Sequence, residues 1–269
     1  MLLEDQRIFI TGASRGIGRA IALQAAREGA DVVVHYNASE QKAKEVVSEI
    51  QKTGRRATAL RGDWSSPEDV HRVSDEAWNA LDGLDILVNN AGMSLKKHTL
   101  DISVQDFDIL FATNVRGAFL ASKSIAGKMI REGTNGQIFT VTSVQALQAG
   151  VGFSVYAGTK AALESIMKGM ALELSLHGIR VNTLAVGAVE TDMNQDVLDD
   201  PDLLDHVLGG IPLHRMATPG EIAGLVCALI SERARYMTGS SVLVDGGLML
   251  RKGYGAPEPY TFKLNNSPT

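Results

Sequence analysis

The chain has 269 residues, 45 % of them apolar, with 26 basic against 31 acidic residues and a net charge of −5. That is enough apolar residue for a full core, and the mild acidity argues against a nucleic-acid binder, which carries a basic face. The single cysteine, Cys227, excludes an intrachain disulfide and fits a reducing compartment. No apolar run approaches about 18 residues, so no transmembrane helix is expected, and residues 1–10 lack a leader pattern. A cytoplasmic protein without membrane or nucleic-acid partners is the expectation.

Short β-branched runs alternate with longer amphipathic stretches. Strands are expected at 7–11, 31–35, 57–62, 86–89, 137–142, 180–185 and 241–245. Helices are expected at 16–28, 39–53, 67–81, 103–131, 155–177 and 219–231. Strands that are apolar throughout belong to a sheet covered on both faces. Strict alternation calls for right-handed crossovers, and so for a single-domain α/β chain: a Rossmann-like, doubly wound, parallel seven-stranded sheet with helices on both faces. Cys227 falls in an apolar helical run and reads as core. Residues 191–213 interrupt the alternation with Asp192, Asp196, Asp199, Asp200, Asp202 and Asp205 beside Met193, Val197, Leu198, Leu203 and Leu204, the pattern of a short amphipathic lid. Residues 251–269 read as an extended tail.

The first strand runs into Thr11-Gly12-Ala13-Ser14-Arg15-Gly16-Ile17-Gly18, and a helix opens at once. Glycines there permit a tight turn and close approach of a pyrophosphate to backbone N–H groups at a helix N-terminus. The spacing G-x-x-x-G-x-G departs from the commoner G-x-G-x-x-G. An acid ending the second strand would hold the ribose hydroxyls of NAD and repel a 2′-phosphate. Here the strand ends Val34-His35-Tyr36-Asn37, without one. Ser14 and Arg15 in the glycine turn suit a phosphate, so NADP is the expected cofactor, with NAD also accepted. Asp63 follows the third strand and suits an adenine amino group. Asn90-Ala91-Gly92 follow the fourth, at the same carboxyl edge.

Tyr156-Ala157-Gly158-Thr159-Lys160 places a phenol and an ammonium on one helix face. Proton transfer at neutral pH is favoured when the phenol falls from its usual value near 10 by up to about 3 units, roughly 4 kcal/mol, and a lysine cation together with the positive nicotinamide has the right sign. Ser143, ending the fifth strand, can hold a substrate oxygen while Tyr156 gives or takes the proton. Asn114, within the long helix at 103–131, can hold a water linking Lys160 to solvent. No metal site is expected.

Together the turn at 11–18, the 89–92 stretch and these four residues resemble the short-chain dehydrogenase/reductase family, over about residues 7–250. The resemblance implies Asn114, Ser143, Tyr156 and Lys160 as a catalytic tetrad. It also implies a cofactor held by Gly12, Ser14, Arg15, Gly16, Ile17, Gly18, Tyr36, Asn37, Asp63, Asn90, Ala91, Gly92, Tyr156, Lys160, Gly187, Val189 and Thr191, with Thr191 at the carboxamide. The family has Pro-Gly after the sixth strand where this chain has Val186-Gly187, so a looser turn is expected there. Val32–Tyr36, Thr142–Val144, Gly187–Thr191 and Val244–Leu250 look most like glucose 1-dehydrogenase and related sugar dehydrogenases. The 3-oxoacyl-carrier-protein reductases are the alternative within the family, and a dinucleotide sensor without turnover, or a dehydration or epimerisation enzyme, the alternatives outside it. The resemblance also implies a homotetramer, with 103–131 and 155–177 at one interface and 219–231 and 241–245 at the other. Substrate choice would lie in 95–98, 145–153, 191–213 and the tail, where Arg251, Lys252 and Tyr254 could favour an anionic sugar.

Overall fold

The computed structural model describes residues 1–250; the expected tail, with Arg251, Lys252 and Tyr254, lies outside the described residues. Strands β1 (Arg7–Ile10), β2 (Asp31–Tyr36), β3 (Ala57–Arg61), β4 (Ile86–Asn89), β5 (Gln137–Ser143), β6 (Arg180–Val186) and β7 (Ser241–Val244) form one sheet in the order β3-β2-β1-β4-β5-β6-β7. Every pairing is parallel. This is the doubly wound seven-stranded sheet that the alternation predicts, and the order reverses between β1 and β4, where ligands sit in such folds.

Successive strand residues point to opposite faces, and the core divides accordingly. Ile8, Ile10, Val32 and Val34 pack with α1 (Gly16–Arg27), α2 (Glu40–Gln51) and, through Val226 and Ile222, the later helix Pro219–Leu229. Phe9 and Val33 face the other layer, with α3 (Pro67–Ala80) and the long helices around Ile125 and Met167. Cys227 is buried in the first cluster, as its apolar run suggests, and burial pushes its thiol up to about 12.

The expected helix at 103–131 is not one regular helix. It runs as α4 (Val104–Phe111), a π-helical turn at Ala112–Gly117 and α5 (Ala118–Glu132). Two side contacts account for the widened turn. Gly117 lies against Trp64, where any side chain would collide with the Trp64 carbonyl and ring. Asn114 is fully buried and bonded away from its own helix. π-turns of this kind arise where a side contact outbids the regular ladder.

Next come α6 (Ser154–Leu174), then α7 (Gln195–Leu198) and α8 (Pro201–Leu208) within 191–213, and α9 (Pro219–Leu229). In α8 the half-buried Leu203, Leu204, Val207 and Leu208 share one face, and Asp202, Asp205 and His206 face water. That is the amphipathic pattern read from the sequence. Asp200 caps α8 by accepting from Asp202 N and Leu203 N, and Thr218 with Glu221 forms a capping box on α9.

Val186 does not loosen the turn after β6. The strand continues through it, paired with Ser143 on one side and Val244 on the other. Gly187 N donates to Val244 O, and Ala217 N to Ala188 O. A proline would contribute rigidity without a donor; here hydrogen bonds fix the segment.

Candidate active site

A cleft of about 520 Å³ runs along the carboxyl edge of the sheet, from Asn37 and Asp63 to Tyr156, Lys160 and Thr191, within the range of small-molecule and cofactor sites. Its floor is the glycine turn. Gly12 has φ +64°, and a Cβ there would lie 2.9 Å from the Ala91 Cα, so only glycine lets β1 and β4 close up. A Cβ at Gly18 would strike the Asn90 amide and the Gly12 carbonyl. Asn90 explains the fit: its Nδ2 donates to Thr11 O and Gly12 O, both at 3.0 Å, while Thr11 Oγ1 accepts from Asn90 N and Ala91 N. α1 then starts with no side-chain cap and no acid in its first turn. An uncapped helix N-terminus is a site for an anion, so the cradle fits the pyrophosphate of a dinucleotide.

The sequence missed His35 and Trp64. His35 is buried and accepts from Gly12 N at Nδ1 (3.0 Å), so Nε2 carries the proton and donates to Gly62 O (3.1 Å). Burial lowers its pKa to about 4, which keeps it neutral in that role. Trp64 packs on the imidazole at 4.1 Å. The available signal was a polar histidine inside an otherwise apolar strand.

Most of the expected cofactor residues line the cleft, with differences in what each offers. Ser14, Gly16, Ile17, Asn90 and Gly92 lie on it. Tyr36 reaches it but is buried in the core, whereas Asn37 is exposed, so Asn37 is the strand-two residue facing the groove. Asp63 commits Oδ1 to Ser65 N and Oγ, leaving its other oxygen for a donor. Arg15 is not a free guanidinium: Nη1 lies 3.4 Å from Asp192. Thr191 packs by its methyl against Gly16, where a Cβ would be 3.4 Å away. Gly187 and Val189 stand behind the cleft wall, Gly187 against Asp245 and Val189 paired with Ala217.

At the far end α6 presents Tyr156 and Lys160, both buried, with Lys160 Nζ 5.7 Å from the phenol ring centroid. Burial pushes Tyr156 up, and the hydrogen bond with Ser143 pulls only partly against it. Burial also pushes Lys160 down, to about 8. The ammonium has no acidic partner among the described residues. Nζ lies beside Gly92, where a Cβ would be 3.4 Å from it and 3.2 Å from Asn114 Oδ1.

Asn114 is hydrogen-bonded through both ends of its amide. Its Oδ1 accepts from Met93 N (2.8 Å), and its Nδ2 donates to Met93 O (2.9 Å) and Thr159 Oγ1 (3.1 Å). Both donor hydrogens are spent. The side chain ties the loop after β4 to α6, and Thr159 Oγ1 in turn donates to the main-chain carbonyl of Tyr156 (2.6 Å). Beyond the phenol, the loops at 92–98 and 145–153 form a wall, joined by Lys97 N to Gly152 O (2.8 Å) and braced by Gly150 N to Gln145 Oε1 (2.6 Å).

The family model described as enoyl-(acyl carrier protein) reductase matches residues 12–249. Over 247 residues the chain is 37 % identical to the L-rhamnose 1-dehydrogenase (NAD(P)(+)) of Sphingomonas sp. (strain SKA58), covering 92 % of this chain and 97 % of that protein. It is 36 % identical to a 3-oxoacyl-[acyl-carrier-protein] reductase of Staphylococcus epidermidis, covering 91 % of this chain and all of that one. Its structure superposes on a short chain dehydrogenase from Burkholderia cenocepacia J2315 in complex with NADP, with a TM-score of 0.88, 35 % identity, and coverage of 93 % of this chain and 100 % of the other. With the glycine turn, the Tyr156–Lys160 pair and the sheet order already in place, the chain belongs to the short-chain dehydrogenase/reductase family of oxidoreductases.

Proposed function

We propose that the chain exchanges hydride between NAD(P) and a secondary alcohol or carbonyl carbon of a sugar or polyol, with NADP preferred and NAD accepted. The observation that carries this reading is the phenol of Tyr156, buried beside Ser143 and Lys160 at one end of a cleft whose other end is an uncapped, glycine-lined helix N-terminus. A bound nicotinamide supplies the hydride acceptor or donor. Ser143 holds the substrate oxygen, and Tyr156 takes the proton in oxidation and returns it in reduction. Lys160, beside Gly92, offsets the burial that raises the phenol and binds the nicotinamide ribose. Asn114 positions the 91–93 loop. The rhamnose dehydrogenase relative supports an aldose lactol as substrate. Initial rates with a panel of aldoses and polyols, read as reduced-cofactor absorbance with NAD and NADP, test this. No turnover with any member would refute the sugar reading.

The carrier-protein reductase relative favours a second reading, ketone reduction on a 3-oxoacyl thioester. NADPH oxidation by such a thioester, with no turnover of sugars, would select it.

The chain reads as a single cytoplasmic domain; no described helix is long and apolar enough to cross a membrane. The 191–213 segment, whose Thr191, Asp192 and Met193 reach the cleft, acts as a cover that excludes water. A homotetramer is supported by exposed apolar side chains on α4–α5 (Val104, Phe107, Phe119) and α6 (Leu172), and by β7 as a sheet edge with Leu243 exposed.

A further inference from the structure

Asp192 is the first residue past Thr191 in the segment that covers the cleft. Its Oδ2 lies 3.4 Å from Arg15 Nη1 and 3.4 Å from Lys42 Nζ. Arg15 comes from the glycine turn and Lys42 from the first turn of α2, so one carboxylate ties two separate elements beside the groove. Asn37, Ala38 and Ser39, which lead into α2, line the same cleft as Arg15 and Asp192. Neither cation has another carboxylate within ion-pair distance among the described residues.

We propose that Asp192 is a built-in competitor for the cation pair that receives the cofactor's 2′-phosphate, and that it sets how strongly this chain prefers the phosphorylated dinucleotide. The proposal rests on the NAD(P) reading of the cleft. β2 ends without an acid, and the covering segment brings one to the same groove from a distant part of the chain. The three side chains are about half exposed, and both contacts are longer than the 2.7–2.9 Å of a tight charge-assisted hydrogen bond. Such a carboxylate is readily displaced. A phosphate monoester carries more charge, about −1.5 to −2 at neutral pH, and three acceptor oxygens, so it can replace Asp192 on both cations. A neutral 2′-hydroxyl has nothing to replace it with. With NAD the two cations stay neutralised and the covering segment stays tied to the groove; with NADP the tie is exchanged for the phosphate. Acceptance of both cofactors then follows from one residue.

The test is equilibrium binding, which needs no substrate. Adenosine 2′,5′-bisphosphate and AMP are titrated by calorimetry into the full chain and into D192N, whose side chain keeps the shape and loses the charge. Asp192 is exposed, and an unchanged melting curve shows that the variant is folded. The bisphosphate tightens about three- to tenfold at low ionic strength, the order expected for exposed ion pairs, and AMP changes less than twofold. The gain shrinks at high salt and is lost in K42A/D192N. Bisphosphate affinity that is unchanged or weaker in D192N overturns the proposal. So does equal tightening of both probes, which would mean that Asp192 only restricts access. Failure of the wild-type protein to bind either probe instead removes the dinucleotide reading itself.

Discussion

Replacing Asn114 by alanine isolates the junction that holds the catalytic end together. The change removes three hydrogen bonds: two to the Met93 backbone and one to Thr159 Oγ1. A net contribution of about 0.5–1.5 kcal/mol per bond gives roughly 1.5–4.5 kcal/mol. Met93 is only partly buried, so water from the cleft can re-hydrate its backbone groups, which puts the loss in the lower part of that range, about 2–3 kcal/mol. The Thr159 bond is buried and is lost outright. For a chain of this size that lowers Tm by roughly 4–12 °C. Urea unfolding at fixed protein concentration, with m unchanged, is the assay. A cycle with Thr159→Val measures the Asn114–Thr159 coupling, expected at about 0.5–1.5 kcal/mol. Turnover falls by at least about tenfold, because the 91–93 loop beside Lys160 loses its fastening to α6. A stability loss below about 0.5 kcal/mol, or zero coupling with Thr159, would refute the view that Asn114 fastens the 91–93 loop to α6.

Tyr156→Phe removes the transferable proton and lowers turnover by at least about 10²-fold, with cofactor affinity retained in a fluorescence titration. Alcohol oxidation rises with pH through one ionisation and levels off, and in Lys160→Met that rise moves to higher pH; an unmoved profile would separate Lys160 from the phenol. The same Lys160→Met stabilises the fold at pH 7 by about 1–3 kcal/mol in urea unfolding. The reason is that the buried ammonium is depressed to about 8: below that pH the full burial penalty is present, and stability rises as pH climbs towards the unfolded value of 10.5. His35 is depressed to about 4, so its contribution is complete above 6.5 and is lost as pH falls towards 4; in His35→Asn, urea midpoints between pH 4.5 and 7 flatten relative to wild type. Asn37→Asp places an acid at the exposed groove position and shifts the ratio of kcat/KM towards NAD; an unshifted ratio would take residue 37 out of ribose recognition.

The strands were legible because short β-branched runs, such as Val32-Val33-Val34, alternate with longer amphipathic stretches; the apolar run 225–230 at the end of α9 was told from a strand by its place in that alternation. Tyr156 and Lys160 were legible because helical spacing fixes their common face. What the sequence hid was set by partners far along the chain. The π-turn depends on Trp64 meeting Gly117 and on Met93 meeting Asn114. The pairing of Arg15 joins residues 177 positions apart, and that of Lys42 joins residues 150 apart. His35 read as one polar residue in a strand, because its two partners, Gly12 N and Gly62 O, are brought to it only by the sheet. Spacing likewise gives the proximity of Tyr156 to Lys160 and says nothing of how deeply both are buried.

The stitching of Thr11 and Gly12 to Asn90 bears on how the chain acquires its binding surface during synthesis. The three elements of the nucleotide cradle, β1, its turn and α1, are complete within the first 27 residues. Yet the hydrogen bonds that shape the turn come from a residue 79 positions later. A nascent chain that has released only β1 through α3 therefore holds the motif without its form. The cradle sets when β4 inserts beside β1, a non-local pairing that is slow because a long loop must close first. Until then the uncapped end of α1 and the open edge of β1 are exposed together, which makes the stretch before β4 emerges the interval in which this chain is most prone to wrong strand pairing.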